Sequence, residues 1–281
     1  MKSAKFLTII AVLILALTVT SVIAAQGSDE EAFDFPLLLA GETESNALED
    51  GIFAQLYAFW GKEGDEISLQ MNRTADSEID PYLILLDASG AILAVDDDGG
   101  DVIGNAFIDG FELPEDGVYL VFATFADYIL FTANVLDQDD FGPMDYEIRL
   151  QGATSPENRR DSVLNLNGAE LSLGDSARLE ISQETPVAFI TFFAETGDSM
   201  TISTSPNGDT IDTMLYLFNN VGQAIAFNDD GENTAAFYSA IEGLNIADEG
   251  MHLVIATSYQ FYLALENDWE NIGLFNLSVE Q

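Results

Sequence analysis

Three consecutive aspartates stand ahead of two glycines in AVDDDGGD, residues 94–101, and a close variant, AFNDDGEN, recurs at residues 226–233. Carboxylates at this density could hold a hard cation, because calcium takes roughly six to eight oxygen ligands from carboxylates, amide oxygens and backbone carbonyls. The candidate metal ligands are Asp96, Asp97, Asp98 and Asp101 in the first stretch and Asn228, Asp229 and Asp230 in the second. Asp80 and Asp212, each just before an apolar run, are candidates to join from an adjacent turn. Ca2+ is therefore the cofactor to expect. The competing reading is a hairpin, with Asp-Gly supplying the positive φ of a type I′ turn between the apolar runs AILAV and NAFI. A turn uses one Asp and one Gly. The surplus acids stay unexplained, because crowded like charges are costly unless something neutralises them. Known calcium loops do not fit. An EF-hand register ending at Gly99 would run from Ala94 to Asn105, and its counterpart from Ala226 to Phe237, with no acid at either end. The glycine-rich nonapeptide repeat fails at Val102.

Catalytic readings find less to work with. The chain has no cysteine and one histidine, His252, inside the apolar stretch GMHLVIAT, so a serine triad lacks support and a two-histidine metal site cannot be built in one chain. A carboxylate pair could hydrolyse glycosides, but with 49 Asp and Glu no particular pair stands out. The chain is read as non-enzymatic, with no catalytic residues. A secreted hydrolase or accessory subunit of a secreted peptidase is the alternative, and a structural cell-envelope protein the second alternative. Tyr259, Tyr262 and Trp269 could face a sugar or peptide, although most such rings belong in a core.

The charge is extreme: 8 Lys and Arg against 49 Asp and Glu, a formal net charge of -41. Such a surface repels nucleic acid and anionic lipid and attracts divalent cations. The apolar content, 48% with 19 Phe, is enough for a folded core. Residues 1–25 place Lys2 and Lys5 ahead of an apolar run ending in small residues, the pattern of an export signal cleaved near Ala24 or Ala25. The run is also long enough for an uncleaved N-terminal anchor. Either way the remainder is expected to be secreted or at the cell surface. Without cysteine there is no disulfide framework, so stability must come from the core or from bound ions.

The elements that would position these acids come in two sets. At an offset of about 133 residues, AFWGKEGDEISL (58–69) faces TFFAETGDSMTI (191–202), IDPYLILLDASGAILAVDDDGG (79–100) faces IDTMLYLFNNVGQAIAFNDDGE (211–232), and IDGFELPEDGVYLVFAT (108–124) faces IEGLNIADEGMHLVIAT (241–257). Ile67, Leu69 and Met71 alternate with polar neighbours, as do Tyr146, Ile148 and Leu150, which marks half-buried strands; YLILLD and VYLVFAT are continuous β-rich runs. The fold class expected is all-β: two tandem β-sandwich domains of about eight strands each, in two packed sheets, after the N-terminal signal segment. Their predicted extents are 38–151 and 167–281, with an acidic lead-in at 26–37 and a linker at 152–166 carrying Arg159 and Arg160.

An aromatic strand, Gly-Asp, an alternating strand, Asp before a leucine-rich strand, a turn, Asp-Asp-Gly and a Gly-x-Tyr strand, in that order, resemble the bacterial pre-peptidase C-terminal (PPC) domain. AFWGKEGD, DPYLILLDASGAILAVDDDGG and EDGVYLVF carry the pattern first; TFFAETGD, DTMLYLFNNVGQAIAFNDDG and DEGMHLVI carry it again. The second set departs at Thr213, where the first has Pro81, and at His252, where the first has Tyr119. The resemblance implies a jelly-roll-like sandwich found beside secreted peptidases, acting as a binding module and similar in collagenases to a calcium-dependent collagen-binding domain. It does not imply catalysis. The expected partners are an extracellular protein or polysaccharide and divalent cations, with no nucleic acid and no membrane contact beyond an uncleaved anchor.

Overall fold

The structure is a computed structural model that describes residues 33–48, 52–102, 104–126, 129, 143–154, 166–266 and 269–281. The signal segment 1–25, the lead-in up to residue 32 and linker residues 155–165 lie outside the described residues. The first half contributes β1 (Thr43–Ala47), β2 (Gln55–Gly61), β3 (Glu66–Arg73), β4 (Pro81–Asp87), β5 (Ile92–Asp96), β6 (Ala106–Glu112), β7 (Gly117–Phe125) and β8 (Asp145–Gln151). The second contributes β9 (Gly168–Glu170), β10 (Ser176–Ile181), β11 (Ala188–Ala194), β12 (Ser199–Pro206), β13 (Thr213–Phe218), β14 (Ala224–Asn228), β15 (Ala240–Asn245), β16 (Gly250–Ser258) and β17 (Gly273–Glu280). A short 3₁₀ helix, Phe261–Leu265, precedes β17.

The strands form four sheets, ordered β1-β8-β3-β6 and β2-β7-β4-β5 in the first half and β10-β17-β12-β15 and β14-β13-β16-β11-β9 in the second. The order is the same in both halves, with β9 added parallel to β11. The other pairings between these strands are antiparallel. The chain is all-β.

Side-chain patterning separates outer sheets from inner ones. β3 and β8 alternate buried with half-buried or exposed residues, and β12 and β17 do the same, so their sheets have one face in water. β4, β7, β13 and β16 are buried almost end to end, which requires cover on both faces. The cover on the second face is the other half's inner sheet: Phe122 on β7 meets Tyr216 and Phe218 on β13 edge-on, with centroids 5.5 and 5.6 Å apart. The layers run outer, inner, inner, outer, and the buried side chains of both halves make one continuous core.

Each half also holds a buried polar cluster, in a different place. In the first, Tyr57 and Tyr146 share a 2.9 Å hydrogen bond between the two sheets, and Asn46 donates to Tyr57 at 3.0 Å. The ladders place Leu179 and Phe275 where Asn46 and Tyr146 stand, so the second half is apolar there. The second half instead links Thr204, Thr213 and Ser239 through buried hydroxyls, with Thr204 and Thr213 at 2.7 Å and Thr213 and Ser239 at 3.2 Å. Pro81, Met71 and Ala106 occupy the matching positions in the first half. Thr213 is therefore the keystone of a hydroxyl network, which accounts for its departure from Pro81.

Candidate cation site at the acidic corners

The acidic stretches are not hairpin turns. β5 and β6 belong to different sheets, as do β14 and β15, so each stretch is a corner where the chain passes from an inner to an outer sheet. Gly99 and Gly100 are absent from the positive-φ residues; the left-handed glycine is Gly104, at φ +80°. The two adjoining glycines are required by close approach instead. A Cβ on Gly99 would lie 2.6 Å from Asp96 Oδ2, and one on Gly100 would lie 2.8 Å from the Asn105 carbonyl. The type I′ expectation is corrected for a physical reason: the Asp96 carboxylate, rather than a backbone turn, closes the corner.

Asp96 Oδ1 accepts the N–H groups of Gly99 and Phe107 at 2.8 and 2.6 Å, tying the corner to β6. Asp98 Oδ1 accepts the Gly104 N–H at 2.9 Å. Asn228 repeats the Asp96 role in the second half, accepting the Ala240 N–H at 2.8 Å, while its amide donates to the Asp230 carbonyl. These side chains do the work of a backbone turn.

The remaining acids divide by their surroundings. Asp97 is half-buried, and burial, then Asp98 and Asp96, hold its carboxyl above the usual range. Tyr82, packed edge-on against Tyr262 at 6.2 Å, has its phenol pushed up by burial and then by Asp97. Asp101 is exposed at the corner's tip. Asp80 is exposed, its carbonyl accepting the Ala126 N–H at 2.8 Å. Its carboxylate and the Arg73 guanidinium converge on Gly104, 3.3 and 3.5 Å from where a Cβ would sit, so the first corner has a cation beside it.

The second corner lacks that neighbour, since Pro206 stands opposite Phe275 in the ladder where Arg73 stands opposite Tyr146. Asp212 is half-buried and pushed up to about 6, by burial first and then by Asp230 and Asp229. Asp229 is raised by burial and then by Asp230. The backbone around Asp212 is well fixed: its N–H donates to Asn271 at 3.0 Å and its carbonyl accepts the Tyr259 N–H at 2.8 Å. The structure thus brings Asp212, Asp229 and Asp230 within electrostatic reach of one another. Asn228 and Asp96 are occupied with backbone N–H groups. Among the described residues, no three or more His, Cys, Asp and Glu side chains are arranged as a ready cage for a metal ion.

His252 is buried on β16, stacked on Phe192 at 5.4 Å, with Nδ1 3.0 Å from the Gly250 carbonyl. Its counterpart Tyr119 stacks on Phe59 at 5.3 Å and donates to the Glu115 carbonyl at 2.7 Å. Tyr262 and Trp269 are buried, whereas Tyr259 is exposed.

No protein-family model matches the chain, and no curated protein matches it. Among solved structures it is similar to the pre-peptidase C-terminal domain of a collagenase from Bacillus anthracis, at 16% identity and a TM-score of 0.30, over 45% of this chain and 99% of that one. That is the domain type the motifs resemble. It is also similar to PliG, a periplasmic inhibitor of g-type lysozyme from Aeromonas hydrophila, at 13% identity and a TM-score of 0.24, over 40% of this chain and 99% of that one.

Proposed function

We propose that the chain is an exported, non-catalytic binding module made of two PPC-like sandwiches, and that it takes up calcium at the second acidic corner. The observation that carries the reading is the gathering of Asp212, Asp229 and Asp230 at a corner that lacks the first half's arginine, where burial first and then Asp230 and Asp229 raise the Asp212 carboxyl to about 6. A divalent cation relieves that repulsion, and a hard, oxygen-seeking ion suits carboxylate and carbonyl donors. The support is charge and donor type rather than a preformed cage, so the affinity expected is that of weak extracellular sites, a Kd on the order of 10⁻⁴ to 10⁻³ M. The non-catalytic part is supported by His252, which is locked under Phe192 and bonded to backbone. The export part is supported by the composition of residues 1–25. Among the described residues no helix is long and apolar enough to cross a membrane.

Two measurements test this. Calorimetric titration of the parent with calcium should give heat that is lost in the Asp229→Asn/Asp230→Asn double variant; no heat in the parent, or unchanged heat in the variant, rejects the cation site. Retention on immobilised extracellular-matrix proteins and polysaccharides, with and without chelator, tests the partner class. Failure to bind either class rejects the binding module.

A further inference from the structure

Among the backbone contacts between the two halves are two matched pairs; the Ala224 N–H, which donates to the Ala54 carbonyl at 2.9 Å, stands outside them. The Asp34 N–H donates to the Asn220 carbonyl at 2.8 Å, and the Asn167 N–H donates to the Ala88 carbonyl at 2.7 Å. Asp34 and Asn167 both precede the first sheet strand of their half, and Ala88 and Asn220 occupy the same place in the turns β4–β5 and β13–β14. The same turns make a second matched pair. The Leu56 N–H donates to the Gly222 carbonyl at 2.7 Å, and the Val187 N–H donates to the Gly90 carbonyl at 3.2 Å; the two contacts differ by a two-residue slide, Leu56 lying within β2 and Val187 just before β11.

Each turn is pre-shaped to make its contact. Asp87 Oδ1 accepts the N–H groups of Ser89 and Ala91 at 2.8 and 3.0 Å, and Asn219 Oδ1 accepts those of Val221 and Gln223 at 3.2 and 2.9 Å. Gly90 and Gly222 then sit against the other half's backbone: a Cβ on Gly90 would lie 2.0 Å from the Val187 carbonyl oxygen, and one on Gly222 would lie 2.7 Å from that of Leu56. Glycine is required twice over, by φ values of +91° and +79° and by that approach. Phe35 packs beside Gly222 and is itself buried, so the segment before β1 is part of the contact. Between these clamps lie the two inner sheets, whose strands β4, β7, β13 and β16 are buried almost end to end and which are in ring contact through Phe122. A surface on which the same turn of each partner docks at the beginning of the corresponding strand of the other has the reciprocity of a two-fold homodimer interface.

We propose that the two halves form an internal pseudo-two-fold dimer whose interface holds without the covalent link between them: the partner each inner face fits is the other half of this chain. This does not depend on cation binding.

The test starts from the folded, full-length chain carrying a specific protease recognition sequence inserted between Arg160 and Asp161. After complete cutting, the two fragments should elute together at the volume of the uncut protein, and the unfolding midpoint should rise with protein concentration, as it must for an associated pair. Fragments that separate at micromolar concentration would overturn the proposal. Gly90→Ala and Gly222→Ala should each weaken association of the cut fragments at least tenfold. Gly174→Ala is the control, since Gly174 has φ +92° with nothing within 4 Å of a Cβ, and therefore the same backbone strain without the contact. If the control weakens association as much as the other two, the reciprocal turns are not what holds the halves together, and that too counts against the proposal. The cut parent, without either glycine substitution, decides the question even if one glycine variant fails to fold.

Discussion

Replacing Asp212 by Asn should stabilise the protein at neutral pH and leave it unchanged in acid. Its carboxyl is raised from 3.8 to about 6, so the folded state holds the proton more tightly than the unfolded state does. A folded-state pKa above the unfolded one gives stability that is present at low pH and lost as pH rises from about 4 through about 6. Were the group wholly shielded, the loss by pH 7 would be about 3 kcal/mol. Asp212 keeps contact with water, and screening brings this to about 1 kcal/mol. Urea unfolding at pH 4, 5, 6 and 7, with calcium removed, measures the difference between Asp212→Asn and the parent. It should be near zero at pH 4 and grow to about 1 kcal/mol in favour of the variant at pH 7. Taking the difference cancels other titrating groups, His252 among them. A pH-independent difference, or a variant that is less stable at pH 7, would refute the reasoning that burial, with Asp230 and Asp229 beside it, holds this carboxyl up. Saturating calcium should shrink or reverse the neutral-pH advantage, because only the parent gains a counter-ion for all three acids.

Asp96→Ala should cost about 1–3 kcal/mol in urea unfolding, since two backbone N–H groups at the corner lose their acceptor, whereas Asp96→Asn should cost under about 1 kcal/mol because Asn228 already serves in that role. Burial holds the His252 imidazole below its ordinary value, so its contribution is present above about pH 6.5 and lost as pH falls; His252→Phe should flatten the acid limb of the thermal stability profile between pH 7 and 5. Phe122→Ala should cost about 3–5 kcal/mol and lower one shared calorimetric transition, since the ring packs on both halves. Two transitions, with only one displaced, would contradict a common core.

The strands were legible because burial leaves its period in the sequence. Ile67, Leu69 and Met71 alternate with polar residues and lie on an outer sheet; YLILLD has no polar alternation and lies on an inner one. The contrast also carried information about layers. A run such as MLYLF needs apolar cover on both faces, and a lone two-sheet sandwich covers only one. That the cover is the opposite half depends on tertiary contacts such as Gly90 against Val187, more than ninety positions apart, and no local pattern encodes these. Even the matched glycines in DASG and NNVG read as ordinary turn residues until the facing backbone is in view.

The corners were harder because an Asp-Gly sequence is the signature of two structures that differ only in what the next strand does. A hairpin returns to its own sheet, and a corner leaves it; the choice is made by where β6 pairs, with β3, far along the chain. Once the chain leaves the sheet, the N–H groups of Gly99 and Phe107 lose the ladder partners a hairpin would give them, and a carboxylate or amide oxygen at position 96 or 228 becomes necessary. This explains part of the acid run without any ion: the first side chain of each stretch is structural. It also separates the two halves chemically. Asp80 has Arg73 nearby, and the second corner has Pro206 in the same ladder position, so the acid that precedes the leucine-rich strand has a cation beside it in one half and Asp229 and Asp230 beside it in the other. A cation-dependent property of this protein should therefore follow Asp212, Asp229 and Asp230, and be insensitive to Asp96.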